Sequence, residues 1–425
     1  MKEAKRLAGM AVVLGVAAIA WMVLGGVMSQ RTSVQRSVLA DSVADLWGVP
    51  MTQSAPVVLF EWDHWEEEQV PVTGADGERR TELRRTLRTS SRSLQLQSSD
   101  IAVDLSLDPR RKGLVWFALY DVVFGGEWTV DHEGGEGRVV FRFPFPNDGS
   151  VYDDFRLTVN GEEQATAPQN GAVTVRFPVS GAEQFAFEAE YRSRGADSFH
   201  YLPSAGSAVS EARELRVAMT TDFEKIDFPP RSLSPSTRER TDAGWELSWD
   251  FRRIITGHGI GMVMPQRIQP GPLAASMAFS APISLALFML WIYVLGLLKE
   301  VEIHPVNHLL VAGSFFGFHL LFGYSVDHLS VLWAFLLCSV VSMVLTVSYL
   351  RLVAGPRFAV REAGIAQLVY LVGFALAHFF DGFTGLTLTV IGIGTLFAVM
   401  QLTGRVRWSE VFAPAEATQG PPPPR

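Results

Sequence analysis

Five ionisable side chains, His319, Asp327, His328, His378 and Asp381, fall within or beside long apolar runs in the last third of the chain. Ionisable groups in hydrocarbon are costly and often functional, and a His/Asp cluster there can pass protons or hold a metal ion. The simpler reading puts Asp327, His328 and Asp381 in the wet interface, with His319 and His378 hydrogen-bonded between helices. We expect the simpler reading. We also expect Gln367, Ser339 and Ser342 to be packing contacts, and Ile303-His304-Pro305-Val306-Asn307-His308 to form a capped turn, with Pro305 suited to a first helical turn.

Other polar clusters are weaker candidates. Asp63 and His64 beside Glu66, Glu67 and Glu68 suggest a metal site. Adjacent acids, however, point in different directions along a strand or loop, so a solvated acidic loop is expected. Asp153 and Asp154 have the same weakness, because general acid-base work needs convergence in space. Gly257-His258-Gly259-Ile260-Gly261 precedes no clear soluble helix and reads as a flexible joint rather than a phosphate cradle. No G-x-S-x-G, H-E-x-x-H, Walker or strand-linked G-x-G-x-x-G motif occurs. We therefore assign no catalytic, cofactor-binding or metal-ligating residue, and no cofactor is expected.

These residues are positioned by two kinds of element. The 425 residues are 48% hydrophobic and 19% charged, with a mean hydropathy of +0.19, between a soluble enzyme and a pure transporter. The apolar residues are concentrated in residues 8–28 and 274–404. The formal charge of -8 and the absence of a Lys/Arg stripe with interleaved aromatics argue against nucleic acid. Cys338, the only cysteine, lies in an apolar run, so no intrachain disulfide can form.

The run Ala8 to Met28 follows Lys2, Lys5 and Arg6 and is long enough to cross roughly 30 Å of hydrocarbon. It carries no clear A-x-A cleavage site and continues to Trp47, so one long uncleaved signal-anchor helix over residues 1–47 is expected. Further runs near residues 274–298, 306–326, 330–350, 364–380 and 385–403 predict a bundle of five transmembrane helices within 274–408. Lys299, Arg351, Arg357, Arg361, Arg405 and Arg407 fall in alternate loops, which predicts both termini in the cytoplasm and residues 48–273 outside it. Residues 409–425, ending in a proline run, read as a disordered cytoplasmic tail.

Between the anchor and the bundle the apolar period is two. Ile101, Val103, Leu105 and Leu107 alternate with polar residues, as do Val139 to Phe145, Val173 to Val179, Phe185 to Tyr191 and Trp245 to Phe251. An antiparallel β-sandwich follows, with Gly74 to Ser99 as a charged loop or insertion. The fold class expected is thus an α+β membrane protein.

Five stretches, Asp45-Leu46-Trp47-Gly48, Pro109 to Leu114, Arg194 to Pro203, Ile303 to Leu310 and Arg405 to Trp408, together resemble segments of the CreD family of inner-membrane, cell-envelope integrity proteins. Asp45-Leu46-Trp47-Gly48 followed by Gln53 to Leu59 resembles its Trp-Gly segment before a GPVL-like strand, although Ser54-Ala55-Pro56 stands where glycine-proline is usual. Pro109-Arg110-Arg111-Lys112-Gly113-Leu114 resembles its Arg-x-Arg-Gly region. Arg194-Gly195 with Phe199, Tyr201-Leu202-Pro203 resembles its Phe to Leu-Pro segment. Ile303-His304-Pro305-Val306-Asn307-His308-Leu309-Leu310 and Arg405-Val406-Arg407-Trp408 are similar to its His-Pro span opening and Arg-x-x-Trp ending. The resemblance implies a bacterial inner-membrane location and a role in envelope integrity or stress response. It supplies no catalytic residue. The expected partners are the lipid bilayer and an envelope protein, lipid or cell-wall component; the alternative is a small-solute or proton-coupled transporter using the bundle.

The charge bias fixes a topology that reporter fusions can read. Fusions near residues 150, 328 and 382 should report outside, and those near 302, 356 and 412 inside; a cytoplasmic signal at 150 overturns the scheme.

Overall fold

The computed structural model describes residues 2–73, 79–112, 115–165, 167–204, 209–380, 382–406 and 408. Asp381, Arg407 and the expected tail over 409–425 lie outside the described residues. The chain forms two compact units. One comprises Met1–Val38, Gly113–Val115 and Ile268–Arg425, the other Leu39–Lys112 and Trp116–Arg267.

The helix α1 (Lys2–Trp47) is unbroken over 46 residues, about 69 Å at 1.5 Å per residue, and its residues as far as Val38 belong to the helical unit. It is followed by α2 (Pro270–Leu298), α3 (Pro305–Ser325) and α4 (Val331–Ala354). A fifth span, Phe358–Phe379, and a last helix, Thr384–Thr403, complete the unit. Proline opens α2 and α3, where its missing N–H is not needed. Six helices among the described residues are long and apolar enough to cross a membrane, as a multi-pass membrane protein requires.

The first helix lies in a groove between α2 and α3. It runs antiparallel to α2, with Glu3 Oε2 accepting from Tyr293 at 3.3 Å near one end. Further along, Gly25 admits the Phe279 ring; a Cβ there would lie 2.8 Å from it. Against α3 it runs parallel. Arg6 donates to Ile303 O at 3.2 Å, Trp21 packs on Phe316 with ring centroids 6.1 Å apart, and Arg31 pairs with Asp327 at 2.7 Å.

In the second unit the strands are β1 (Met51–Ser54), β2 (Val57–Thr73), β3 (Arg79–Leu94), β4 (Leu96–Leu107), β5 (Arg110–Lys112) and β6 (Val115–Phe117). The next six are β7 (Leu119–His132), β8 (Gly137–Pro144), β9 (Tyr152–Val159), β10 (Glu162–Glu163), β11 (Ala172–Val179) and β12 (Glu183–Ala196). Then come β13 (Ser198–Leu202), β14 (Ser210–Thr221), β15 (Thr237–Arg240), β16 (Trp245–Thr256) and β17 (Ile260–Val263). Eight form a sheet in the order β10-β9-β12-β7-β4-β14-β16-β15, antiparallel except for β4 with β14. Four form a second sheet, β11-β8-β2-β3, and β1-β13-β17 a third.

The period-two runs become strands because their apolar faces meet. Phe141 on β8 stacks on Phe187 on β12 at 4.1 Å, and Phe124 on β7 approaches Phe143 on β8 at 6.3 Å. The four-stranded and eight-stranded sheets thus share one aromatic core. Gln53 is a fully buried polar residue beside it: it accepts from Tyr191 OH at 2.9 Å and donates to Ser54 O and Pro144 O at 2.8 and 2.9 Å. All these groups are satisfied, as a buried polar network must be.

Three local expectations change. Gly74 to Ser99 is largely strand, since β3 and the start of β4 occupy it. The acids Glu66 to Glu68 lie inside β2 rather than in a loop, facing Thr86, Arg85 and Arg84 across the ladder. Gly257 to Gly261 is not a simple joint: Ile260 begins β17, and Gly261 lies so close to β13 that a Cβ would sit 2.6 Å from Phe199 O. Close backbone approach explains that glycine.

Core truncation gives a direct test. Phe141→Ala should destabilise the β unit by about 3–5 kcal/mol, and Gln53→Leu, which strands the Tyr191 hydroxyl, by about 1–3 kcal/mol. The urea midpoint of the β-sheet circular dichroism signal in detergent measures both; an unshifted midpoint for Phe141→Ala would contradict the shared core.

Candidate functional site

The helical unit places the polar residues along its spans. His319 is buried on α3, where Nδ1–H donates to Phe315 O at 2.9 Å. The edge of its ring meets Trp21, with centroids 5.6 Å apart. His378 has different neighbours: Nδ1 lies 3.2 Å from Phe374 O and Nε2 3.0 Å from the Ser280 hydroxyl. Asp327 is paired with Arg31, and the Arg31 guanidinium also lies over the Tyr324 ring at 5.9 Å. His328 is exposed in the turn after α3. Among the described residues, no three His, Cys, Asp or Glu side chains form a group able to hold a metal ion.

A second polar set is more continuous. Gln367 Nε2 donates to Ser342 Oγ at 2.9 Å, Ser342 donates to Ser314 O at 3.0 Å, and Ser314 Oγ lies 2.5 Å from Thr346 Oγ1. Gln367 is fully buried and its Oε1 has no partner. It ends a short α-helical stretch between two π-helical ones, Phe358–Ala363 and Leu368–Gly373. Such winding frees carbonyls and often marks functional positions. Within the second of them Tyr370 O accepts from Ser284, while Tyr370 OH lies 2.7 Å from Thr395. Thr395 is the one buried residue of the last helix.

The chemistry available is hydrogen bonding between helices. Ser342, Ser314 and Ser339 each donate to a backbone carbonyl, which cannot pass a proton onward. Sequence reading took Gln367, Ser339 and Ser342 as packing contacts but passed over Ser314 and Thr346. The signal was present in Ser339, Ser342 and Thr346, which recur at helical spacing on α4. His304 accepts from Val306 N at 3.3 Å and so caps α3 as the capped turn requires, while His308 is buried with Nε2 unpartnered.

The β unit offers surface instead. Beyond Glu61, β2 leaves β8 and pairs only with β3, so Trp62–Thr73 and Arg79–Ser90 form a two-stranded ribbon, about 40 Å long at 3.4 Å per residue. Arg85 and Arg88 on one strand pair with Glu67 and Glu66 on the other at 2.6 and 2.5 Å. Trp65 and Leu87 face each other across the ladder and are 66% and 53% exposed; Leu83 continues the stripe. A separate cleft of about 510 Å³ is lined by Trp47, Asp121, Ser150, Asp153, Arg192 and Arg194. At its rim, Trp47 is flanked by Arg110 and Lys112 at 5.8 and 5.7 Å. Burial pushes the phenols of Tyr120, Tyr191 and Tyr201 well up, and that of Tyr152 up to about 12, so all four stay neutral and act as hydrogen-bond groups.

No family model matches the chain, and no curated protein matches it. Among solved structures, a Legionella pneumophila protein described as a nutrient binding protein is 11% identical over 57% of this chain and 76% of its own, with a TM-score of 0.32. A zinc metallopeptidase of Deinococcus radiodurans is 12% identical over 45% of this chain and 53% of its own, with a TM-score of 0.27. Likenesses this weak carry no functional argument.

If the intramembrane histidines act only as hydrogen-bonding groups, His319→Gln and His378→Gln should insert normally and complement a deletion strain nearly as well as the parent. Loss of complementation by an inserted variant would instead point to proton transfer.

Proposed function

We propose that this chain is a non-enzymatic, CreD-like envelope-integrity protein of the bacterial inner membrane, whose β unit stands in the periplasm as a sandwich-like binding domain. The ribbon of β2 and β3 is the observation that carries this reading. A two-stranded ribbon is marginally stable alone in water, and an exposed stripe such as Trp65, Leu83 and Leu87 is the kind of surface a partner covers. The charge bias of the loops supports the orientation, with both termini cytoplasmic. The segments that resemble the CreD family support the envelope role, and the partner class is an envelope protein, lipid or wall component.

This reading is preferred to a transporter because the hydroxyls between the spans end on backbone carbonyls, and the apolar centres of the spans contain no carboxylate. It is preferred to an enzyme because the cleft beside Trp47 gathers no set of convergent acid, base and nucleophile: Asp121 is paired with Arg194, and the tyrosines of the core are held neutral by burial.

The test is deletion followed by challenge with detergents and wall-active antibiotics, then rescue. The full chain should restore resistance, and Trp65→Ser with Leu87→Ser should restore little of it at equal membrane abundance. If the deletion strain tolerates every challenge like its parent, or if the helical unit alone restores resistance, the reading fails.

A further inference from the structure

The turn between α4 and the fifth span borders a cleft of about 850 Å³, whose lining includes Lys299, Gly355, Arg357, Val360, Arg361 and Glu362. Three of these side chains are cationic and one is anionic. Lys299 is paired with Glu362, which accounts for that carboxylate. Arg357 and Arg361 make no ion pair among the described residues and stand four positions apart at the start of one span, so both guanidiniums border the same opening.

The surroundings narrow the ligand. The cleft lies where α2 and α4 end and the fifth span begins. Of its lining, Val360 is 61% exposed; Leu298, which precedes Lys299 in the sequence, and Leu352, at the end of α4, are 40% and 79% exposed. A guanidinium pair prefers the planar, forked contact that a phosphate provides, and the adjoining apolar side chains suit acyl chains. A free phosphate would occupy only a small part of this volume and leave the apolar rim unused.

We propose that this cleft binds the headgroup of an anionic phospholipid, with Arg357 and Arg361 on the phosphate and Lys299 at its margin. Basic pockets at the ends of spans are suited to such headgroups, each cation adding to the attraction. The lipid fills the notch between α4 and the fifth span and fixes the start of the π-wound segment.

The full chain in nanodiscs provides the test, with phosphatidylglycerol retention measured by native mass spectrometry and affinity by titration of labelled lipid. The parent should prefer phosphatidylglycerol to phosphatidylcholine, and Arg357→Gln with Arg361→Gln should weaken phosphatidylglycerol binding about tenfold or more. Arg357→Lys with Arg361→Lys, which keeps the charge, should lose much less, and Arg405→Gln should change nothing. Unchanged thermal stability of the glutamine variant in phosphatidylcholine discs shows that it is folded; if it is unfolded, the lysine variant and the lipid preference of the parent decide. Equal binding of the two lipids, or full binding by a folded glutamine variant, overturns the proposal. Displacement of the lipid by inorganic phosphate at comparable concentration also overturns it, by assigning the cleft to a soluble anion.

Discussion

The intolerance of hydrocarbon for unpaired polar groups is the constraint on which the helical unit rests. The apolar run of α1 is flanked by Arg6 near one end and Arg31 beyond the other, 25 residues or about 37 Å apart. Each is held by α3 or the turns at its ends, through Ile303 O and Asp327. With both ends fixed, the register between the two helices leaves little choice, and Trp21 falls against Phe316 and His319. Between these ends Ser284, Ser342 and Gln367 bond to a hydroxyl or carbonyl of a neighbouring span.

The β unit meets a different constraint, because without disulfides it depends on buried area alone. Its core answers with aromatic side chains: Phe124, Trp128, Phe141, Phe143, Phe187 and Tyr191 are all essentially inaccessible. Stacked and tilted rings contribute beyond their area, and the Gln53 network places a specific polar contact where β1, β8 and β12 meet. That network fixes how these strands are aligned.

Much of this was legible in the amino-acid sequence, for physical reasons. Strands such as β4 and β8 have one buried and one wet face, so Ile101 to Leu107 and Val139 to Phe145 show their period directly. The ribbon was not legible, because β3 carries arginine, threonine and serine on both faces and has no apolar period to detect. The π-winding of the fifth span was equally hidden, since it changes the hydrogen-bond ladder and leaves composition untouched. Of the five candidate positions, Asp327 proves to be paired and His328 exposed, whereas the Ser314 contact depends on which helices become neighbours. Pairing of that kind is decided in three dimensions.

The arginines of β3 also bear on how copies of this protein behave when crowded in a membrane. A long open edge invites the same edge of a second chain. Were two copies of β3 to pair in antiparallel fashion, Arg84, Arg85, Arg88 and Arg92 would be brought into one ladder with their counterparts, and like charges facing each other across strands repel. Glu66 and Glu67 of β2 are already engaged within their own ribbon by Arg88 and Arg85. The segregation of charge onto two strands therefore lets an exposed ribbon reach outward while discouraging identical neighbours from fusing into a continuous sheet.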